Sequence, residues 1–235
     1  MTSQSYVGRE LDLFALAKNW KKYWSSLLIP HLRGDVLEAG AGVGTNTAYL
    51  ESPLVTSWTC LEPDERLAHR MIEDFQRQPH LRDCRVEIGT IQAIRNGERF
   101  DTILYIDVLE HIDDDLGEMQ RASRLLRPQG KLIVLSPAYQ WLYAPFDRAI
   151  GHVRRYRKGT LGAHSPQNCQ LLEMNYLDSV GMLASAGNRL FLSQSIPTVR
   201  QILFWDRYLV PVSRVIDRLT FHAFGKSILG IWTKT

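Results

Sequence analysis

The 235-residue sequence predicts an α/β fold, a mostly parallel sheet with helices on both faces. Three observations carry this. Five short apolar runs have the length of buried strands: "DVLEAG" (35–40), "TSWTCLE" (56–62), "CRVEIG" (84–89), "FDTILYI" (100–106) and "GKLIVLS" (130–136). Helix-patterned stretches at 44–52, 64–78 and 114–127 lie between them. The spacing suits crossover connections rather than hairpins.

The first element, residues 8–29, reads as a helix with Leu11, Leu13, Phe14, Leu16 and Ala17 on one side, punctuated by Pro30 and Gly34. Residues 1–30 are therefore expected to form a helical cover. After Ser136 the rhythm changes, and 137–168 reads as a loop with short helices, a substrate-side segment rich in aromatics and arginine. "LLEMNYLDSVGML" (171–183) predicts a sixth strand running into a helix, and "SILGIWTK" (227–234) a last strand. Between them, 195–225 reads as an amphipathic helical insertion broken near Pro211. Its apolar positions (Ile202 to Leu219) alternate with Arg200, Arg207, Arg214 and Arg218. That pattern suits a cover over the site, a homodimer contact or an anionic membrane surface. All of this fits one domain over 1–235.

Composition sets broad limits. Apolar residues make up 45% and charged residues 23%, with a net charge of +3. These values are ordinary for a globular protein and do not argue for nucleic acid. No basic stripe or stacking motif supports a nucleic-acid partner either. Cys60, Cys84 and Cys169 show neither zinc spacing nor a disulfide framework, which favours a reducing compartment. "MTSQSYVGRELD" is charged where a signal peptide needs an apolar core. The expected location is the cytoplasm of a bacterium, with peripheral membrane contact as a further expectation.

The chemistry begins at "LEAGAGVGTNT" (37–47), where Glu38 precedes Gly40, Ala41, Gly42 and Gly44. Glycines at a strand end let the backbone turn sharply and a ligand approach closely. A dinucleotide site would place the third glycine at position 45, which is Thr45. An acid at Glu38 would repel a pyrophosphate but suit an ammonium group. Glu62, in "CLEPDERL", ends the second strand where it can accept from ribose hydroxyls.

This E-x-G-x-G-x-G turn with an acid on the second strand resembles the class I S-adenosylmethionine-dependent methyltransferases over residues 35–136. The resemblance implies a Rossmann-like seven-stranded sheet, order 3-2-1-4-5-7-6, with an antiparallel last strand. It also implies S-adenosyl-L-methionine as cofactor. Glu38 and Gly40–Gly44 would hold its amino-acid part, and Glu62 its ribose. Leu61, Pro63 and Ile91 would line the adenine, framed by Gly89 and Thr90. Thr90 stands where the family usually has an acid. "ELDLFALAKNWKKYW", "LYIDVLEHIDDD" and "FDRAIGHVRRYRKGTL" are similar to a bacterial type 11/12 group of methyltransferases.

"DVLEHIDDD" (107–115) follows the fourth strand, beside which the transferred methyl would sit. Asp115 and Glu118 have the spacing of a capping box, so Asp113, Asp114 and Asp115 read as a helix start. Asp107, Glu110 and His111 would share a face if the chain turns helically. Together with His152 they resemble the metal site of small-RNA 2′-O-methyltransferases and some ubiquinone-pathway O-methyltransferases. A divalent cation there, His111 as general base without metal, and packing around the cofactor (Asp107 near its methionine end) are three open roles. Tyr143, Arg154, Arg155 and Tyr156 are the candidate substrate contacts; ion pairs with the acids of 107–118 are the alternative for the arginines. Tyr23 and Trp24 are candidates to cover the cofactor. The expected reaction is methyl transfer to a small-molecule or lipid-linked acceptor, most naturally at oxygen. Carbon or nitrogen transfer is the alternative within the class, and a non-catalytic cofactor-binding or membrane-surface module the alternative outside it.

Overall fold

The computed structural model describes residues 9–191 and 197–235. Residues 1–8 and 192–196, which hold the first positions of the predicted N-terminal cover and of the predicted insertion, lie outside them.

Two helices, α1 (Arg9–Ala15) and α2 (Lys18–Leu28), precede a sheet of seven strands. The strands are β1 (Gly34–Ala39), β2 (Val55–Glu62), β3 (Arg85–Ile88), β4 (Phe100–Ile106), β5 (Leu126–Pro137), β6 (Cys169–Leu177) and β7 (Ser227–Lys234). Between them run α3 (Glu65–Gln76), α4 (Asp115–Leu125), the short α5 (Pro145–Ala149) and α6 (Lys158–Ala163), then α7 (Ser179–Phe191), α8 (Val199–Phe204) and α9 (Val210–Leu219). The sheet order is β3-β2-β1-β4-β5-β7-β6, with β7 antiparallel to both neighbours. This is the order the family resemblance implies.

Both faces of the sheet are buried, so the strands alternate between two cores rather than between core and water. Leu104, Ile106, Ile133, Leu135, Leu229 and Ile231 enter one core with Trp24 and Leu28 of α2. Their neighbours Ile103, Tyr105, Leu132, Val134, Ile228 and Trp232 enter the other with Met119 and Ala122 of α4.

Several predicted elements differ in detail. Residues 44–52 do not form an α-helix; only a 3₁₀ turn, Thr47–Tyr49, is present. Gly44 takes φ +75°, outside helical space, and the Thr47 hydroxyl is committed to Glu38 at 2.7 Å. The helix predicted at 8–29 divides at Leu16 and Ala17. The N-cap of α4 is Asp114, whose carboxylate accepts from Gly117 N at 3.0 Å, not Asp115. Glu118 turns instead to the Tyr105 hydroxyl, 2.9 Å away in the core.

The insertion does not break at Pro211. Helix α8 passes through a π-helical turn, Trp205–Leu209, directly into α9. A proline ring collides with the carbonyl four residues before it, here Arg207, and the widened turn makes room. Two buried aspartates hold this helix in place. Asp206 accepts from the backbone of Asn19 (3.1 Å) and Trp20 (2.8 Å), capping α2 where Ala17 offers no side-chain acceptor. Asp217 accepts from Asp178 N (2.7 Å), Ser179 N (3.0 Å) and the Tyr23 hydroxyl (2.8 Å). Helix α2 and the α8–α9 helix are thereby joined.

Candidate active site

A cavity of about 1900 Å³ opens at the carboxyl ends of β1, β2 and β4. This is where open α/β sheets bind ligands. Ligand pockets usually enclose roughly 300–1,000 Å³, so there is room here for a cofactor and a second molecule.

One wall is the glycine turn. Gly40 takes φ +68° and Gly42 φ +61°, and both line the cavity with Ala41. A side chain on Gly40 would press its Cβ to 2.7 Å from Val108. Gly44 does not line the cavity; a Cβ there would meet the Phe75 ring at 2.4 Å, so this glycine serves packing against α3. Glu62 reaches the cavity and accepts from Gly42 N (2.7 Å) and Asp64 N (2.9 Å). Burial pushes its carboxyl up against the pull of those two amides. Pro63 lines the same wall.

Other predicted cofactor contacts stand elsewhere. Glu38 is fully buried beneath the turn, away from the cavity wall, and accepts from Thr47 Oγ1 (2.7 Å) and Trp58 Nε1 (3.1 Å). Leu61 and Ile91 are buried, and neither they nor Gly89 and Thr90 line the cavity. The wall on this side is formed by the Pro63–Leu67 segment. Tyr23 and Trp24 are core residues; Trp20 and Lys21 of the same helix reach the cavity. Lys21 was not among the expected residues. It donates to Asn46, and burial lowers its amine to about 8 against the attraction of Asp107 and Glu38. One of three lysines in α2, it has nothing in the local sequence to set it apart from Lys18 and Lys22.

Burial raises Glu38 to about 7, only partly offset by Thr47, Trp58 and Lys21. The folded chain keeps a proton that the unfolded chain, titrating near 4.5, has released. The stability this group contributes is therefore lost as pH rises from about 4.5 through about 7. Glu38→Gln is expected to remove that loss, on the order of 3 kcal/mol between about pH 5 and about pH 8 in urea unfolding. An unchanged pH slope in the variant would overturn the assignment.

Asp107 directly follows β4 with φ +55°, a left-handed conformation that aspartate tolerates at some strain. The turn exposes its carboxylate to the cavity, and burial in the cleft pushes that carboxyl up against the pull of His152, Lys21, Lys226 and Arg155. Next comes a 3₁₀ turn, Leu109–His111. It brings one ligand-capable atom each of Glu110, His111 and His152 within 4.8 Å of one another, and Asp107 is not in that group. His111 and His152 line the cavity, with ring centroids 4.6 Å apart. Glu110 lies behind them, fully buried, with neither carboxylate oxygen hydrogen-bonded. Its Oε1 is 3.6 Å from His152 Nε2. Burial, then repulsion from Asp107, holds Glu110 well above the usual carboxylate range. Burial and then His152 lower His111 to about 4.

His152 is itself positioned. Its Nδ1 lies 2.9 Å from Asp147 Oδ1, and Arg155 grips the same carboxylate through Nε (2.8 Å) and Nη2 (3.0 Å). Burial would raise Asp147, but the His152 and Arg155 hydrogen bonds overcome it and hold the group at about 2. A lasting anion on Nδ1 favours the tautomer with a free Nε2 lone pair, a carboxylate–histidine arrangement found in both metal and acid–base sites. Sequence reasoning missed Asp147, which is five residues from His152 but outside the acidic cluster.

The four substrate candidates separate. Tyr143 and Arg155 line the cavity; Arg155 is committed to Asp147, and the Tyr143 hydroxyl donates to His152 O at 2.6 Å. Arg154 and Tyr156 do not line it. Arg154 pairs with Asp115 at 2.6 Å, and Tyr156 is buried with its hydroxyl donating to Asp115 at 2.7 Å. The ion-pair alternative therefore holds for Arg154, because a buried Asp115 needs a counter-charge.

Another stretch of the cavity wall is apolar. Leu11 and Phe14 of α1 face Phe146 and Ile150 of the post-β5 segment, with Ile202 and Phe204 of α8 beside them. Phe14 and Phe146 are 6.0 Å apart at their centroids.

The sequence matches the model of a family described as "Methyltransferase domain" over residues 13–182. Among curated proteins it is 25% identical over 124 residues to the mitochondrial methyltransferase OMS1 of Saccharomyces cerevisiae, spanning 46% of this chain. The chain spans only 26% of that relative's length. Among solved structures, geranyl diphosphate methyltransferase in complex with S-adenosylmethionine superposes with a TM-score of 0.65 at 13% identity, covering 99% of this chain and 93% of that one. The N-methyltransferase NodS of Bradyrhizobium japonicum WM9 gives 0.57 at 16% identity, covering 94% and 96%. At these identities the two structures speak for the fold alone. The family match takes in the glycine turn, Glu62 and the Asp107–His152 region, and the chain belongs to this family: it is a class I S-adenosylmethionine-dependent methyltransferase.

Proposed function

We propose that the enzyme methylates an oxygen of a small or lipid-like acceptor bound between the glycine turn and the apolar wall. The observation that carries this is the Asp147–His152 pair, aimed at Glu110 and beside His111, at the cavity edge next to Asp107. Bound S-adenosylmethionine supplies a methyl group activated on a sulfonium. The protein's part is alignment, exclusion of water and removal of the acceptor's proton. Glu62 would hold the ribose, and the Gly40–Gly42 backbone with Lys21 and Asp107 the amino-acid end. His152 Nε2 or the neutral His111 ring would take the hydroxyl proton as the acceptor oxygen attacks. A carbon or nitrogen acceptor would make less use of this arrangement, since an amine can shed its proton to water after transfer.

A second reading is favoured by Glu110, a buried carboxylate 3.6 Å from His152 Nε2. Glu110, His111 and His152 would hold a divalent cation that binds the acceptor oxygen and lowers its pKa. Activity that vanishes with chelator and returns with a divalent ion supports this reading; full activity in chelator removes it.

The cofactor arm is tested by calorimetry. Glu62→Ala is expected to weaken S-adenosylmethionine binding about 100-fold, through lost ribose contacts and a loosened Gly42 amide. An affinity within about threefold of wild type would refute that role for Glu62. The acceptor arm uses radiolabelled S-adenosylmethionine and fractionated cell extracts. Label is expected in base-labile or ether-linked methyl groups of the lipid or small-molecule fraction. Label on carbon or nitrogen would overturn the oxygen assignment.

A further inference from the structure

We propose that the outer face of the α8–α9 helix is a docking surface for an anionic lipid bilayer, with the cavity mouth beside it. This inference stands on the surface of the helix and does not depend on the acceptor's identity.

The inner and outer faces differ sharply. Ile202, Trp205, Asp206, Val210, Ser213 and Asp217 are buried against α2, α7 and the core. The outer face carries Val199, Leu203, Tyr208, Val212, Val215 and Leu219, all exposed large apolar side chains. Their spacing is three or four residues except for the step from Leu203 to Tyr208, which spans the π-helical turn. The extra residue that accommodates Pro211 thus also keeps the apolar stripe turned outward. Leu219 is 73% exposed and Phe221, just past the helix, 88% exposed. An apolar stripe this continuous needs a partner.

Charge identifies the partner. Arg200, Arg207, Arg214 and Arg218 are all exposed on the same helix. Its two acids, Asp206 and Asp217, point inward and are consumed by α2 and α7. The outer face is therefore apolar and cationic with no acid to balance it. Placed against a second copy of itself, it would bring like charges together. Against anionic headgroups, the arginines reach the phosphates while the side chains between them enter the acyl boundary. Each basic residue near such a surface adds to the attraction. No helix among the described residues is long and apolar enough to cross a membrane, so the contact is peripheral.

The position has a consequence for access. Arg200 and Phe204 belong to this exposed helix and also line the cavity. A molecule leaving the bilayer at this face would enter the site directly.

The test is flotation of the full chain with phosphatidylcholine vesicles and with vesicles containing phosphatidylglycerol. At least about tenfold stronger binding to the anionic vesicles is expected, falling with added salt. Arg207→Glu/Arg214→Glu should abolish it, and Val215→Ser/Leu219→Ser should weaken it. None of these four residues lines the cavity, so S-adenosylmethionine affinity and melting temperature should stay at wild-type values. Equal binding to both vesicle types, or undiminished binding by the charge-reversed variant, overturns the proposal. So does a concentration-dependent dimer that Val215→Ser/Leu219→Ser dissociates, or an RNA oligonucleotide that binds while vesicles do not. Failed methyl transfer with intact vesicle binding would count against the proposed reaction only.

Discussion

His152→Ala is expected to lower methyl transfer about 10²–10⁴-fold while S-adenosylmethionine affinity stays within about threefold of wild type. The asymmetry follows from position. In the proposed reaction His152 would face the acceptor, whereas Glu62 and the glycine turn would hold the cofactor. Its ring is held at one end by Asp147, which Arg155 keeps ionised and in place. On that reading, removing the imidazole would remove the group that meets the acceptor but none proposed to hold the ribose. The measurement is a single-turnover rate with the extract fraction that the wild-type enzyme labels, paired with calorimetry. A rate within about threefold of wild type would show that His152 neither takes the proton nor holds a cation. Asp147→Asn distinguishes positioning from packing: it keeps the shape but offers Nδ1 only one lasting acceptor, so the rate should fall while the melting temperature changes little.

Asp217→Ala is expected to destabilise the fold by about 3–5 kcal/mol, since three buried donors lose their shared acceptor at once. Those donors are Asp178 N, Ser179 N and the Tyr23 hydroxyl, drawn from α2 and the start of α7. With one carboxylate binding two separate elements, its loss should loosen the N-terminal cover and the insertion together. For a chain of this size the melting temperature should fall by about 10 °C. Asp217→Asn retains one acceptor oxygen and should fall between. Thermal unfolding within about 2 °C of wild type for the alanine variant would mean the latch carries no such role.

Much of this architecture was legible in the chain. Strand runs such as "FDTILYI" and "GKLIVLS" are apolar throughout because both sheet faces are covered, and that continuity identifies a parallel sheet. The glycine turn was legible because positive φ at Gly40 and Gly42 leaves few other residues possible. Less legible was anything set by a partner distant in sequence. Arg154 and Arg155 are adjacent and alike, yet one neutralises buried Asp115 and the other grips Asp147 at the cavity. Glu38 carries the family's motif acid, but its carboxylate turns under the strand to Thr47 and Trp58.

The sequence by itself determined the fold class, the strand rhythm and the glycine turn, because periodicity and backbone conformation are local properties. Only the tertiary structure decided which of the acids, histidines and arginines meet. Glu110, His111, Asp147 and His152 come together because β4 and β5 are neighbours and their following segments fold over the same strand ends. Electrostatic energy depends on that distance and on the water excluded along it. Neither is written in the order of the residues.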